Sequence, residues 1–426
     1  MAACGSFSHT SGTGTDLKLG CNLGSGNALQ NVKLSTAAQE IFARATDGKI
    51  MTKSEVMQIE DAIDPESMIA IAGMVRDAKK GSTITYSRKV FINLVNLCRD
   101  TCSYCTYKKE PDDPELSLQN PEQVMAIAQA GKMFRCTEAL FVTGERPEQR
   151  YAEARKWLRS TGHSSTVEYI RDMSELVLKN TGLLPHTNAG SLTKKEMSML
   201  RDTNVSLGVM LESSSERLMG KGMAHEFAPS KNPKVRIKTL EAAGELRIPM
   251  TTGLLVGIGE TMDEIVDSLF AIRAIHEKYG HIQEVIIQNF APKPNTKMAE
   301  SAPAPALYFA KCIALARLVM PDMNIQVPPN LSPDIFGRYI DAGINDWGGI
   351  SPVTIDHVNP EFPWPDISLV RQVTEQRGYN LRARLPVYPE FLRIGAKAGF
   401  ISERLQGYIA LLADSLGLVR EEYITN

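Results

Sequence analysis

Three thiols crowd one short stretch of the chain, Cys98-Arg-Asp-Thr-Cys102-Ser-Tyr-Cys105. Thiolates ligate iron–sulfur clusters and zinc, and the two differ in how many ligands the protein must supply. A 4Fe–4S cluster held wholly by protein takes four thiolates, so three would leave one iron open to an outside ligand. Structural zinc takes four protein ligands, yet no His lies between His9 and His163 and there is no second cysteine pair. Cys136 is the nearest other thiol, but it precedes a predicted strand and is expected near the far end of that strand's barrel. Iron–sulfur, zinc and ordinary buried thiols are the three readings of the motif, and the spacing favours the first.

The thiols need a scaffold that presents a loop. Short β-rich runs alternate with amphipathic helices: Val90 to Leu97, Ala139 to Thr143, Leu184 to Asn188, Val205 to Leu211, Thr251 to Val256, Val285 to Asn289, Ile325 to Val327 and, more weakly, Ile350 to Thr354. Start signals punctuate the helices. Asn120 precedes Pro121 with Gln123 in capping-box register, Thr261 is followed by Glu264, and Ser332 precedes Pro333. Up to eight strand–helix units predict a parallel (β/α) barrel of the TIM type. The cysteine loop follows the first strand, at the end where such barrels carry their chemistry. The organisation expected is a Gly/Ser-rich flexible tail over 1–34, holding Cys4 and Cys21, and a helical preface over 35–85. The barrel over 86–360 and a C-terminal helical segment over 361–426 follow.

Composition narrows the class. Lys plus Arg number 47 and Asp plus Glu 49, a balance of −2 with no basic run, so nucleic acid is not an expected partner. No uncharged apolar stretch is long enough to span a bilayer, so no membrane partner is expected either. Seven cysteines in 426 residues are too few for a disulfide scaffold, and the first arginine is Arg44, which argues against an Arg-rich transit sequence. A reducing, cytoplasmic setting is the expectation.

The three-cysteine loop after a first barrel strand resembles the signature of radical S-adenosylmethionine (SAM) enzymes. The resemblance implies that Cys98, Cys102 and Cys105 hold a 4Fe–4S cluster whose open iron is chelated by SAM. Reductive cleavage of the sulfonium, fed by a low-potential electron donor, would then give a 5′-deoxyadenosyl radical. It also implies SAM contacts. Gly144 and Glu145 end the second strand, although Thr143 replaces the superfamily's usual first glycine. Glu212 ends the fourth and would take the ribose hydroxyls, while Gly257 and Gly259 end the fifth and would lie under the adenine with Tyr104 nearby. Without the cysteines these are ordinary loop-closing glycines and a helix-capping carboxylate.

Further stretches are similar to the cyclase subunit of 7,8-didemethyl-8-hydroxy-5-deazariboflavin (FO) synthase. They are Tyr86-Ser-Arg-Lys-Val-Phe-Ile, Phe141-Val-Thr-Gly-Glu-Arg-Pro-Glu148, Pro328-Pro-Asn-Leu-Ser332, Asp341-Ala-Gly-Ile-Asn-Asp-Trp347-Gly-Gly-Ile-Ser-Pro352 and Asp356-His-Val-Asn-Pro360. Ala291-Pro292 departs from the Arg expected after Phe290. The resemblance implies a radical lyase that closes a ring and eliminates ammonia from a hydroxybenzyl–ribitylaminouracil adduct. A companion radical SAM subunit would make that adduct from tyrosine and 5-amino-6-ribitylaminouracil. Asn188, Asn289, Asn330 and Asp346 are then the expected substrate contacts, with His357 as proton donor and Asp356 beside it. The alternatives are the companion transferase, another biotin-synthase-like radical SAM enzyme, or a non-catalytic iron–sulfur or zinc protein.

Overall fold

The computed structural model describes residues 36–49 and 51–425, so the expected tail, with Cys4 and Cys21, lies outside the described residues. Among the described residues nine strands form one parallel sheet: β1 Thr83–Val95, β2 Glu138–Thr143, β3 Leu184–Asn188, β4 Ser206–Gly208, β5 Met250–Val256, β6 Ile282–Asn289, β7 Ile325–Gln326, β8 Asp346–Ile350 and β9 Asn380–Arg384. Each of β1 to β7 pairs with the next, and β8 pairs with β1, which closes the barrel. Helices fill the crossovers. Asn120 and Thr261 form the capping boxes expected of them. Ser332 does not start a helix; it ends the short turn Pro329–Leu331 instead.

The 13-residue β1 is the seam of the barrel. Its upper half pairs with β2, from Lys89 opposite Glu138 to Val95 opposite Thr143. Its lower half, Thr83 to Ser87, pairs with β9. A strand therefore interrupts the stretch expected to be wholly helical, and it lies under β2 at the barrel's base. Alternation along β1 sets the two faces. Ile84, Tyr86, Val90, Ile92 and Leu94 pack outward into the helical layer, and Thr85, Ser87, Lys89 and Phe91 point inward.

Strand β8 begins at Asp346, earlier than the apolar run Ile350 to Thr354 suggests, because Trp347 and Ile350 supply its buried face and the Gly348-Gly349 pair disguises it as a turn. The shift relocates Asp346. At the first position of a strand it lies at the base of the barrel, opposite the mouth. There Arg384 of β9 donates to it from Nε at 2.6 Å and Nη2 at 3.0 Å, and to Glu284 of β6 at 3.1 Å. Trp347 is core: its Nε1 donates to Thr374 and its ring meets Phe336 edge-on. Among the described residues no helix is long and apolar enough to cross a membrane.

Candidate active site

The mouth opens into a cavity of about 340 Å³ whose wall carries Cys98, Cys102, Tyr104, Cys105, Gly144, Glu145, Asn188, Glu212 and Asn289. The cysteine loop has no regular secondary structure of its own and is stitched down by its neighbours. Thr101 N–H donates to Phe227 O at 2.8 Å, Ser103 N–H to Ala224 O at 2.9 Å, and Met298 N–H to Ser103 O at 3.1 Å. Asp100 accepts from Ser230 N–H at 3.2 Å. The segment after β4, from Ala224 to Ser230, thus braces the thiols.

Several features fit an iron–sulfur cluster. All three thiols are partly exposed to the one cavity and unoxidised. Burial pushes the Cys98 thiol up to about 12, although the Glu145 N–H that donates to its Sγ at 3.2 Å works the other way. The Cys102 thiol is also raised by burial, with Lys231 opposing. Bare Cys98 and Cys102 thiols stay protonated in this setting, so metal bonds are the means by which they would carry thiolate charge. Among the described residues no three such side chains converge on a point where a single ion would sit. A cluster needs no such convergence, since each thiolate bonds a different iron.

The SAM-side residues gather around the same loop. Gly144 has no room for a side chain, since a Cβ there would overlap the Leu97 carbonyl. This contact brings the end of β2 against the cysteine loop. Glu145 is buried; its Oε2 accepts from Ser191 N–H at 3.0 Å, while Oε1 accepts no hydrogen bond and has Arg146 Nε 3.7 Å away. A buried acceptor without a hydrogen bond, on a residue that lines the mouth, fits a donor-rich ligand group such as an ammonium. Glu212 holds a left-handed φ of 65°, a conformation that costs about 1–3 kcal/mol for a residue with a side chain. That strain aims its carboxylate at Lys231, with which it pairs. Burial alone would raise the Glu212 carboxyl, but Lys231, then Arg236 and His225, bring it below its ordinary value. Tyr104 donates or accepts at His225 Nε2, 3.0 Å away, and packs with Leu255, Ile258 and Phe290.

Other expected contacts fall elsewhere. Gly257 and Gly259 do not line the cavity; the N–H groups of Gly257 and Ile258 donate to the Glu260 carboxylate at 2.7 and 2.8 Å, so that loop is folded on itself. Asp346 is locked at the base by Arg384 and cannot reach a substrate at the mouth. Asp356 borders the cavity but is saturated, accepting from Asn330 Nδ2, Asn359 Nδ2, Val358 N–H and Asn359 N–H at 3.0 to 3.2 Å. It is the staple of the loop after β8. Asn330 is bound into that staple rather than presented to the cavity. His357 packs edge-on against Phe91 at 5.2 Å, outside the cavity wall, and burial lowers its basicity. Asn289 lines the cavity; its Oδ1 accepts no hydrogen bond and its Nδ2 donates to Leu331 O at 3.1 Å. Asn188 is engaged by His186 Nε2 at 3.0 Å.

Residues to which the sequence reading gave no role complete the wall: Lys231, Arg236, Lys89, Gln326, Asn359 and Trp364. Lys293 lines it too and donates to Val358 O at 2.7 Å. A signal for the first pair was present, since Asn232-Pro233 repeats the start pattern of Asn120-Pro121 and places Lys231 and Arg236 at a helix entrance.

Residues 92–272 match the radical SAM superfamily. The 7,8-didemethyl-8-hydroxy-5-deazariboflavin synthase of Methanopyrus kandleri is 46% identical over 337 residues, which is 79% of this chain and 100% of that protein. The chain belongs to the 7,8-didemethyl-8-hydroxy-5-deazariboflavin synthase family. The FO synthase of Mycobacterium tuberculosis is 42% identical over 91% of this chain, and the chain spans 47% of that longer relative. Among solved structures, the FeFe-hydrogenase maturase HydG from Carboxydothermus hydrogenoformans superposes with a TM-score of 0.67 at 18% identity, covering 88% of this chain and 90% of that one. That likeness establishes the barrel fold and nothing finer. Family membership implies a 4Fe–4S cluster and SAM, and the thiol loop is the one group of residues in the mouth suited to the former.

Proposed function

We propose that this chain is the radical SAM cyclase that completes the deazaflavin ring of FO, acting on a 5-amino-5-(4-hydroxybenzyl)-6-(D-ribitylimino)-5,6-dihydrouracil-type adduct with loss of ammonia. One observation carries the reading. The three thiols, Glu145 and the Glu212–Lys231 pair line a single cavity, in a chain that covers a deazariboflavin synthase from end to end. Cys98, Cys102 and Cys105 would hold the cluster, and Glu145 and Glu212 would hold SAM. When bound, these two groups supply a 5′-deoxyadenosyl radical.

The chain's own residues then have three tasks. Glu212, kept ionised by Lys231, offers acceptors for ribose hydroxyls, as acidic residues do in dinucleotide sites. Glu145 and the Gly144 backbone orient the amino-acid end beside the thiol loop. The walls formed by Tyr104, Leu255 and Phe290 on one side and Phe91, Leu140 and Val142 on the other exclude water, which protects a reactive radical from side reactions. The adduct would be supplied by a second radical SAM activity, in keeping with a relative about twice as long, and electrons by a low-potential donor. Anaerobically reconstituted protein given SAM and a strong reductant should release 5′-deoxyadenosine; failure to do so, with the cluster spectroscopically intact, would overturn the reading.

A further inference from the structure

Lysine 89 is an unusual resident of the barrel interior. It is 8% exposed, it lines the cavity, and among the described residues its ammonium makes no hydrogen bond or ion pair. Its Nζ stands 4.8 Å from the Trp364 ring centroid and 5.7 Å from that of Phe91. Burial lowers its basicity, with Glu138 and then Asp356 opposing and Arg384 adding to the effect.

The surrounding chain is built to admit it. Between Thr85 and Ser87 of β1 lie two steps, but their partners on β8, Asp346 and Gly349, are three apart, so β8 carries a bulge. Gly348 sits in the bulge with a φ of 73°. A Cβ on Gly348 would overlap the amide of Gln326, and one on Gly349 would overlap Cδ, Cε and Nζ of Lys89. The Gly-Gly pair thus clears a path along which two polar side chains reach the cavity. Trp364, flanked by Pro363 and Pro365, closes the same corner, and its Nε1 has no partner.

A lysine is donor-only, so its ammonium needs an acceptor, and an oxygen that only accepts matches it best. A ribityl chain both donates and accepts, and a phenol hydroxyl offers a donor. The acceptor-only oxygens of the adduct are the two carbonyls of its pyrimidinedione ring, and the amides of Gln326 and Asn289 complement the imide edge between them. We infer that Lys89, between Phe91 and Trp364, is a substrate-positioning residue that binds a carbonyl oxygen of the pyrimidinedione ring, with the aromatic pair bordering that ring. The inference rests on the proposed cyclase reading and names the residue that holds one end of its substrate.

The test uses the reconstituted holoenzyme with 5-amino-6-ribitylaminouracil as the probe, ribitol as the ring-less control, and the adduct as substrate. Lys89→Met keeps length and loses the donor; Lys89→Gln keeps a donor and loses the charge. Melting temperature and cluster absorbance serve as folding controls for both. The expected result is a roughly 10- to 100-fold weaker probe Kd and a similar rise in KM for Lys89→Met, the range of a charge-assisted hydrogen bond. Partial recovery is expected in Lys89→Gln, with kcat changed much less than KM and ribitol binding unaltered. Probe binding and KM at wild-type values in Lys89→Met would overturn the inference alone. Loss of cluster and stability in both variants would overturn it too, by making Lys89 a structural counter-charge to Glu138 and Asp356. Wild-type protein that cleaves SAM but neither binds the probe nor converts the adduct would overturn the cyclase reading beneath it.

Discussion

Asp346→Asn separates a structural from a substrate-binding role for the aspartate in the most distinctive stretch of the sequence. Asp346 is fully buried and accepts from Arg384 Nε at 2.6 Å, Arg384 Nη2 at 3.0 Å, Gly348 N–H at 2.6 Å and the Thr85 hydroxyl. The substitution keeps the shape, but it removes the charge and can point an amide donor at a guanidinium that only donates. Breaking a buried ion pair from one side costs about 3–5 kcal/mol. Spread over the unfolding entropy of a chain this long, that is a fall in melting temperature of roughly 3–6 °C. Glu284 stays beside Arg384 at 3.1 Å, and burial already pushes its carboxyl up, with Arg384 opposing and Asp346 adding. Pairing Asp346→Asn with Arg384→Met should therefore cost less than the two single changes together, since Glu284 can take a proton once Arg384 is gone. Calorimetric melting of the four proteins provides the cycle, and adduct KM is measured alongside. A wild-type melting temperature in Asp346→Asn together with a raised KM would refute the reasoning and return Asp346 to the substrate.

Replacing Cys98, Cys102 or Cys105 by Ala should abolish the iron–sulfur absorbance, whereas Cys136→Ala, at the far end of β2, should leave it; retained absorbance in the triple variant would contradict the ligand assignment. Glu212→Gln should weaken SAM about tenfold or more in calorimetry, from loss of charge-assisted hydrogen bonds worth ~1.5–3 kcal/mol each, and an unchanged affinity would remove Glu212 from the site. His281 is fully buried, and burial lowers it to about 4 against the opposing pull of the Leu240 backbone. The unfolded chain therefore binds the extra proton first, and stability falls as pH drops from about 6.5 towards 4, by about 2 kcal/mol at pH 5. His281→Phe should flatten that part of the pH–melting curve, and an unchanged slope would place the titration elsewhere.

The barrel was legible because its signals are local and repeated. Apolar strand runs, capping boxes at Asn120 and Thr261, and a loop of thiols after the first strand each state their role within a few residues. What escaped was set by tertiary contact. Strand β8 carries Gly-Gly at a bulge, so its own sequence reads as a turn, and misplacing its start moved Asp346 from the base to the mouth. Strand β9, Asn-Leu-Arg-Ala-Arg, lacks a strongly apolar run because Arg384 enters the barrel as a counter-charge rather than as core. Asp356 and His357 carried residue types suited to proton transfer, yet four hydrogen bonds saturate the first and Phe91 stands between the second and the cavity. Lys89 was in view within a quoted motif, but only the gap left by Gly349 shows that its side chain points inward.

The most direct test is anaerobic incubation of the reconstituted protein with SAM, a low-potential reductant and the hydroxybenzyl–ribitylaminouracil adduct, following 5′-deoxyadenosine and ammonia together with deazaflavin fluorescence. The expected result is that all three rise together and that none rises in the Cys98→Ala, Cys102→Ala, Cys105→Ala triple variant. Release of 5′-deoxyadenosine without fluorescence or ammonia would contradict the assignment of this chain to the ring-closing step.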